Sequence, residues 1–241
     1  MRSAMYLWKK YGRFSRQEVI DLAVSTAVIT FVFWFSALDV STVTLSSAIE
    51  GILKFFVLVG VAFLAHELAH RAVALFLGVQ ATYKKWTGGL IASMLIAFFT
   101  GVVFIAPGAV HFKVVERLRI GHFFPGLNQR AIAVIALAGP AANMALAIIF
   151  KALSGIGAQD FFMQAVFINV LFAVFNLLPI PPLDGSKVFF GAKYLYVFSL
   201  VFAIGMGILL FFSSAIVSLI AGILLGAYAT WYVFASIDKQ W

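Results

Sequence analysis

The sequence predicts an all-α polytopic membrane protein with about six transmembrane helices. Of its 241 residues, 63% are hydrophobic and only 11% are charged, and the mean hydropathy is +1.06. A soluble domain is nearer half apolar and a quarter charged. Too few polar side chains remain to cover a water-exposed surface, so lipid must surround much of the protein.

Seven apolar segments follow one another along the chain. Residues 1–17 are basic, and Ser15 and Glu18 have the spacing of a capping box, which predicts that a helix begins near Arg16. The apolar run that follows is long for a cleavable signal peptide and favours a retained span. The seven segments are 16–38, 52–77, 90–106, 131–150, 161–178, 195–212 and 215–235.

The distribution of charge indicates which of these segments cross the membrane. The basic N-terminal region contains no acid, which places it in the cytoplasm by the positive-inside rule. If segment 90–106 crossed, the cations between residues 113 and 130 would lie outside, against that rule. We therefore expect six spans, with a re-entrant or short β element between the second and third. A seventh crossing is the alternative.

The second apolar segment contains the run His66-Glu67-Leu68-Ala69-His70. The chain has only 4 His, so two of them around a Glu at this spacing is a specific signal. Two imidazoles one helical turn apart can share one zinc ion, and the adjacent carboxylate can reach a water molecule at the metal. The alternative is a structural ion pair between Glu67 and Arg71. Polar groups within an apolar span are costly, which favours the functional interpretation.

A catalytic zinc ion needs a third protein ligand. The chain has no Cys, so this ligand must be a His, Asp or Glu side chain. Asp184 is a candidate because it lies in the segment 176–185, Asn-Leu-Leu-Pro-Ile-Pro-Pro-Leu-Asp-Gly, directly after the fifth apolar segment. An Asp-Gly pair after prolines is also typical of an ordinary turn. His111 and His122 are rival ligands, although their surroundings are polar and basic.

The order of these motifs resembles the site-2 protease family of intramembrane zinc metalloproteases. The HELAH run is followed some 110 residues later by Asn-x-x-Pro-x-x-x-x-Asp-Gly, and residues 139–143, Gly-Pro-Ala-Ala-Asn, resemble the family's third-span motif. The resemblance covers residues 52–190, which we expect to be the catalytic core of a single metalloprotease domain over 1–241. We expect a minimal core, with neither a PDZ domain nor a cystathionine-synthase-like module.

The resemblance also implies roles for individual residues. His66, His70 and Asp184 would bind one Zn²⁺ per chain, and Glu67 would be the catalytic base. Asn176 would help to bind substrate or stabilise the oxyanion. Both Asn176 and Asn143, the last residue of the third-span motif, could instead form hydrogen bonds between packed helices.

The predicted function is hydrolysis of a peptide bond within or near a transmembrane segment of another membrane protein. The partners would be that substrate and the lipid bilayer, and the multi-pass protein would lie in the cell membrane with its active site nearer the cytoplasmic face. An extended element near residues 81–91 could accept the unwound substrate by edge pairing. The alternatives are a metal-ion transporter using the same His and Asp residues, and a prenyl-protein protease. Nucleic-acid binding is excluded because the cations lie in short runs between apolar segments.

Overall fold

The computed structural model describes residues 8, 11–39, 41–114 and 128–238. The chain forms two compact units, one ending at residue 120 and the other beginning at residue 121. In chain order the elements are α1 (Arg16–Ser36), α2 (Leu45–Phe76), β1 (Val79–Lys85), α3 (Thr87–Thr100), β2 (Gly108–Val114), α4 (Gln129–Leu153), α5 (Gln159–Asn176), α6 (Asp184–Gly191), α7 (Lys193–Phe212) and α8 (Ala215–Asp238). The expectation of a single metalloprotease domain stays a prediction.

Six helices among the described residues are long and apolar enough to cross a membrane: α1, α2, α4, α5, α7 and α8. This confirms the predicted fold class. The largest difference from the predicted bounds is at α2, which begins at Leu45 rather than near residue 52. Thr44 caps the helix by accepting from the backbone N–H of Ser47, whose hydroxyl in turn accepts from the backbone N–H of Thr44. Because this reciprocal cap forms in a polar region, the helix extends beyond the apolar stretch.

Segment 90–106 contains most of a short helix, and the chain after this helix returns to the residue that precedes it. Helix α3 has 14 residues, about 21 Å at 1.5 Å per residue, against a hydrocarbon core of about 30 Å. It ends at Gly101, whose φ of 68° is left-handed. The backbone N–H of Trp86, before the helix, donates to the carbonyl oxygen of Pro107, after it, at 2.8 Å.

The two strands that flank α3 pair with each other in an antiparallel sheet. Strands β1 and β2 pair from Lys85 opposite Gly108 to Val79 opposite Val114. The residues before and after segment 87–106 are hydrogen-bonded to each other, so the two ends of this segment lie side by side. The predicted element between the second and third spans therefore contains a short β-sheet, and its paired ends favour the re-entrant interpretation over a seventh crossing.

In the first unit, α1 contacts α2, α3 and β1, and β1 also packs on α2. Aromatic rings fill these contacts. Phe33 of α1 stacks on Phe55 of α2 at 6.4 Å between ring centroids, and Phe63 of α2 meets Tyr83 of β1 edge-on at 5.5 Å. The strand is thus held against the helix that carries the two-histidine motif.

In the second unit, α4 packs on α5 and α6, and α7 packs on α8. Pro140 lies inside α4, and one turn later the buried Asn143 donates from Nδ2 to Oδ1 of Asn169 in α5 at 2.9 Å. Asn169 donates in turn to the carbonyl oxygen of Ala165. The hydrogen bond between helices that was the alternative for Asn143 is therefore present. Its partner, Asn169, was not identified from the sequence.

Candidate metal centre

The two histidines of the predicted metal site lie side by side on α2. His66 and His70 are 3% and 1% exposed. Their Nε2 atoms are 3.0 Å apart, and the ring planes are inclined by 81°. The separation of four residues places both on one face of the helix, so this pair is set directly by the sequence.

The geometry of this pair fits a shared zinc ion. With Zn–N bonds of about 2.0–2.1 Å and tetrahedral angles, two imidazole nitrogens lie roughly 3.3 Å apart. The observed separation of 3.0 Å is smaller by only a few tenths of an ångström. Two buried imidazole nitrogens at this separation are close enough to bind one metal ion.

Glu67, between the two histidines, is half-buried and lines a cavity. Tyr83 of β1 lies on the same cavity, and its hydroxyl is 2.7 Å from the hydroxyl of Ser25 in α1. Burial, together with the negative charge of Glu67, raises the pKa of Tyr83. The phenol therefore stays protonated beside the carboxylate across the physiological pH range.

Arg71, the residue after His70, has an acidic partner in another helix. Its guanidinium forms an ion pair with the carboxylate of Glu18 in α1. The expected capping box at the start of α1 is half present, since Ser15 Oγ accepts from the Glu18 backbone N–H at 3.2 Å while the Glu18 side chain is directed to Arg71. Sequence spacing suggested the local pair with Glu67 and gave no signal for this contact between residues 53 positions apart.

Asp184 and Asn176 belong to the second unit. Asp184 is the first residue of α6, is 6% exposed, and accepts from Lys187 Nζ at 2.9 Å. Asn176 is the last residue of α5, is 9% exposed, and donates from Nδ2 to the carbonyl oxygen of Phe172 at 2.9 Å. Both are buried polar side chains at the ends of helices.

Packing explains the glycine that follows Asp184. A Cβ atom at Gly185 would overlap the backbone carbonyl of Leu177, so the start of α6 lies directly against the end of the preceding helix. The glycine of the Asp-Gly pair is therefore required by close backbone contact. This requirement fixes the place of the Asp184 backbone within the second unit.

One of the two rival third ligands lies in less suitable surroundings than the buried histidine pair. His111 is in β2 opposite Thr82, and it is exposed, unlike the buried pair on α2. His122 lies outside the described residues. The assignment of the third ligand to Asp184, like the roles of Glu67 and Asn176, stays a prediction.

Comparison with known proteins indicates the family. A protein of Methanocaldococcus jannaschii named "Putative zinc metalloprotease" is 35% identical over 181 residues, which is 73% of this chain and 85% of the relative. Residues 151–212 match peptidase family M50. The chain belongs to peptidase family M50. Because 73% of the chain is longer than either compact unit, the similarity extends over parts of both.

A second relative supports the same membership. A protein of Bacillus subtilis that also carries the name "Putative zinc metalloprotease" is 28% identical over 142 residues, which is 53% of this chain and 64% of the relative. No solved structure matches the chain significantly. The family match at 151–212 includes Asn176, Asp184 and the start of α6.

Family membership confirms the predicted metalloprotease, and the names of both relatives agree with the predicted Zn²⁺ cofactor. The six long apolar helices make this M50 peptidase a multi-pass membrane protein. Imidazole is a nitrogen ligand that zinc binds in such enzymes, and the assignment of His66 and His70 as its ligands stays a prediction.

Proposed function

We propose that this M50 peptidase is an intramembrane protease that hydrolyses a peptide bond within or near a transmembrane segment of a membrane-protein substrate. One observation carries the proposal: the buried imidazole pair and Glu67 lie on a helix long and apolar enough to span a membrane. His70 lies six residues before the end of α2, about 9 Å along the helix. Chemistry at that depth would act on peptide bonds that are inside or close to the bilayer.

We propose that one zinc ion is held by His66, His70 and Asp184. The support is the burial of all three side chains, the resemblance to the site-2 protease motifs, and the close backbone packing that requires Gly185. A bound zinc ion would supply Lewis-acid chemistry, polarising the scissile carbonyl and lowering the pKa of an attacking water molecule.

The remaining steps belong to side chains of this protein. Glu67 takes a proton from the attacking water molecule and returns it to the leaving amine. Asn176 uses one amide N–H for the carbonyl oxygen of Phe172, and an amide carries two such donors. We assign the second N–H to the oxyanion, which requires a fixed donor as negative charge develops.

The substrate must be unwound before cleavage, because a helical peptide bond is hydrogen-bonded and surrounded by side chains. Unpaired backbone in lipid costs several kcal/mol per group, so the unwound segment needs a partner strand. Strand β1 ends at Lys85 and is followed by α3, so the extended element is shorter than expected. The backbone N–H of Tyr83 already donates to Glu18 Oε1 at 3.0 Å.

We therefore propose that the substrate pairs with β2 rather than β1. The Tyr83 N–H points away from β2, so Tyr83 and its partner Val110 form a non-hydrogen-bonded pair. In such a pair the backbone groups of both residues point outward. The N–H and C=O groups of Val110, and those of Gly108 two residues earlier, are then the ones that can bind an added strand.

The orientation in the membrane follows from charge. The basic residues of 1–17 support a cytoplasmic N-terminus. Helix α1 then ends outside and α2 returns, so the end of α2 nearest to His70 lies towards the cytoplasm. We propose that cleavage takes place nearer the cytoplasmic face of the cell membrane.

The test is the Glu67→Gln variant of the purified protein. Gln keeps the size and hydrogen-bonding capacity of Glu but cannot act as a base. Zinc content should equal that of the wild type, while cleavage of a membrane-embedded test helix should fall by several orders of magnitude. The matched control is Glu50→Gln, an exposed acid near the start of the same helix, bonded to Ser46, which should leave both unchanged.

The same experiment separates the protease from the metal-ion transporter. A wild-type protein that binds zinc, cuts none of a panel of helices containing Gly, Asn or Pro, and moves zinc into vesicles would contradict the proposal. A transporter would also show altered zinc flux in the Glu67→Gln variant. In a protease, vesicle zinc flux should be absent from both proteins.

A further inference from the structure

Arg71 of α2 binds the N-terminal segment 12–14 through several contacts. Its side chain is 3% exposed and pairs with the Glu18 carboxylate. It also donates to the carbonyl oxygens of Gly12 at 3.2 Å and Arg13 at 3.1 Å, and its guanidinium lies 3.9 Å from the ring centroid of Phe14. A planar guanidinium can satisfy several fixed acceptors and an aromatic face at once, which lysine cannot do.

Glu18 extends this set of contacts to the sheet. The residue is 4% exposed, and its Oε1 atom accepts both from Arg71 and from the backbone N–H of Tyr83, at 3.0 Å for the latter. One carboxylate therefore joins three elements: α1, α2 and β1. A buried ion pair with this many hydrogen bonds is costly to disrupt, because removing either partner leaves an uncompensated charge.

These contacts surround a cavity beside Glu67. It has room for about one water molecule. Phe14 of the N-terminal segment lines it together with Ala81 and Tyr83 of β1, and Glu67, Arg71 and Glu18 contribute the charged groups. The cavity is thus bounded by the two structures that the Glu18–Arg71 pair holds in place.

We propose that Glu18 and Arg71 are positioning residues: their ion pair holds segment 12–14 and strand β1 as two walls of the cavity in which Glu67 acts. This inference rests on the proposed role of Glu67 as the base. A general base must stay within hydrogen-bond reach of the proton that it removes, and small displacements slow such steps severely. Loosening the pair should therefore open the cavity and slow the chemical step, while the three proposed zinc ligands remain in place.

The first test measures the cavity walls without any use of proteolysis. The chain has no cysteine, so Ala81→Cys, at a position that is 3% exposed, introduces one thiol as a reporter. In detergent-solubilised protein this thiol should react slowly with a water-soluble maleimide. Adding Arg71→Lys or Phe14→Ala should accelerate the reaction by about tenfold or more, because local opening becomes more frequent.

The control for labelling is Ser41→Cys, in the exposed loop before α2, which should react at one rate in every background. Phe14→Ala removes only a ring and leaves the ion pair, so it tests the wall even where the arginine variant does not fold. Unchanged labelling at position 81 in both backgrounds would overturn the proposal.

The second test separates positioning from folding. In Glu18→Gln and Arg71→Lys, kcat per zinc-loaded molecule should fall by about tenfold or more, with KM and zinc content near the wild-type values. Glu50→Gln again serves as the control. A purely structural pair would lower the unfolding midpoint and leave kcat per zinc-loaded molecule unchanged, which would contradict the proposal.

The two readouts also separate this inference from the proposed function. If the wild-type protein cleaves none of the membrane-embedded test helices, the proposed intramembrane activity fails, and labelling at position 81 in the Arg71→Lys background still decides whether the ion pair holds the cavity walls. If proteolysis is normal but neither readout responds to Glu18→Gln, Arg71→Lys or Phe14→Ala, the protease stands and the positioning role is wrong.

Discussion

Helix α2 and the start of α6, which carry the predicted zinc ligands, position their polar side chains in different ways. On α2, the imidazoles of His66 and His70 meet because residues four apart share one face of a helix. At the start of α6, Asp184 follows an irregular turn, and its place depends on backbone packing around Gly185. A ligand pair on a helix is set by local periodicity, whereas a ligand after a turn depends on contacts with the preceding helix.

The largest expected effect is loss of the metal. His66→Ala, His70→Ala and Asp184→Ala should each abolish tight zinc binding, since a zinc site with two protein ligands is incomplete. Metal analysis of purified protein measures this directly, with one zinc ion per chain expected in the wild type. Full zinc occupancy in Asp184→Ala would move the third ligand elsewhere, and His111→Ala would then be the next variant to measure.

The next prediction concerns membrane topology: each introduced cysteine should be labelled from one side of the membrane only. With single cysteines in this cysteine-free chain, Lys84→Cys on β1 should be labelled from the cytoplasm, and Ser41→Cys between α1 and α2 from the outside. Both positions are exposed. Labelling in the reverse sense at both positions would invert the proposed orientation.

A third cysteine tests the re-entrant element itself. Arg117→Cys should be labelled from the same side as Lys84→Cys, because β1 and β2 are paired across the excursion 87–106. Labelling of position 117 from the opposite side would establish a seventh crossing.

The contrast between a helix and a turn also explains what the sequence could predict. The six spans, the imidazole pair and the position of Glu67 follow from composition and from helical spacing, which are local properties. The partner of Arg71 could not be predicted, because Glu18 lies 53 residues away and had a plausible local role at the start of α1. The structure of segment 90–106 was ambiguous for a similar reason, since its return depends on pairing between β1 and β2.

The turn that precedes Asp184 should be sensitive to a single methyl group. Gly185→Ala places a Cβ atom against the Leu177 carbonyl, and forced displacement in a well-packed region costs about 1–3 kcal/mol or more. Zinc content and proteolysis should fall together as Asp184 is displaced. The matched control is Gly155→Ala, where the nearest atom is at 3.6 Å, so both properties should stay normal. If the Gly185→Ala variant bound as much zinc as the wild type, the prediction would be wrong and the turn would tolerate the added methyl group.

The smallest effect is expected at the asparagine pair of the second unit, and it should appear in stability rather than in metal binding. Asn143 donates to Asn169 between α4 and α5, and both side chains are fully buried. Hydrogen bonds between membrane helices contribute about 0.6 kcal/mol on average, so Asn143→Ala should lower the unfolding midpoint modestly and leave zinc content unchanged. Asn169→Ala should have a similar effect. The double variant should be less destabilised than the sum of the two single variants, because the two residues share one bond.

The control is Asn128→Ala, which removes the exposed cap of α4 and should lower the free energy of unfolding by about 1 kcal/mol. Strict additivity in the double variant would contradict the pairing, and loss of zinc in Asn143→Ala would move this residue from helix packing to the site itself.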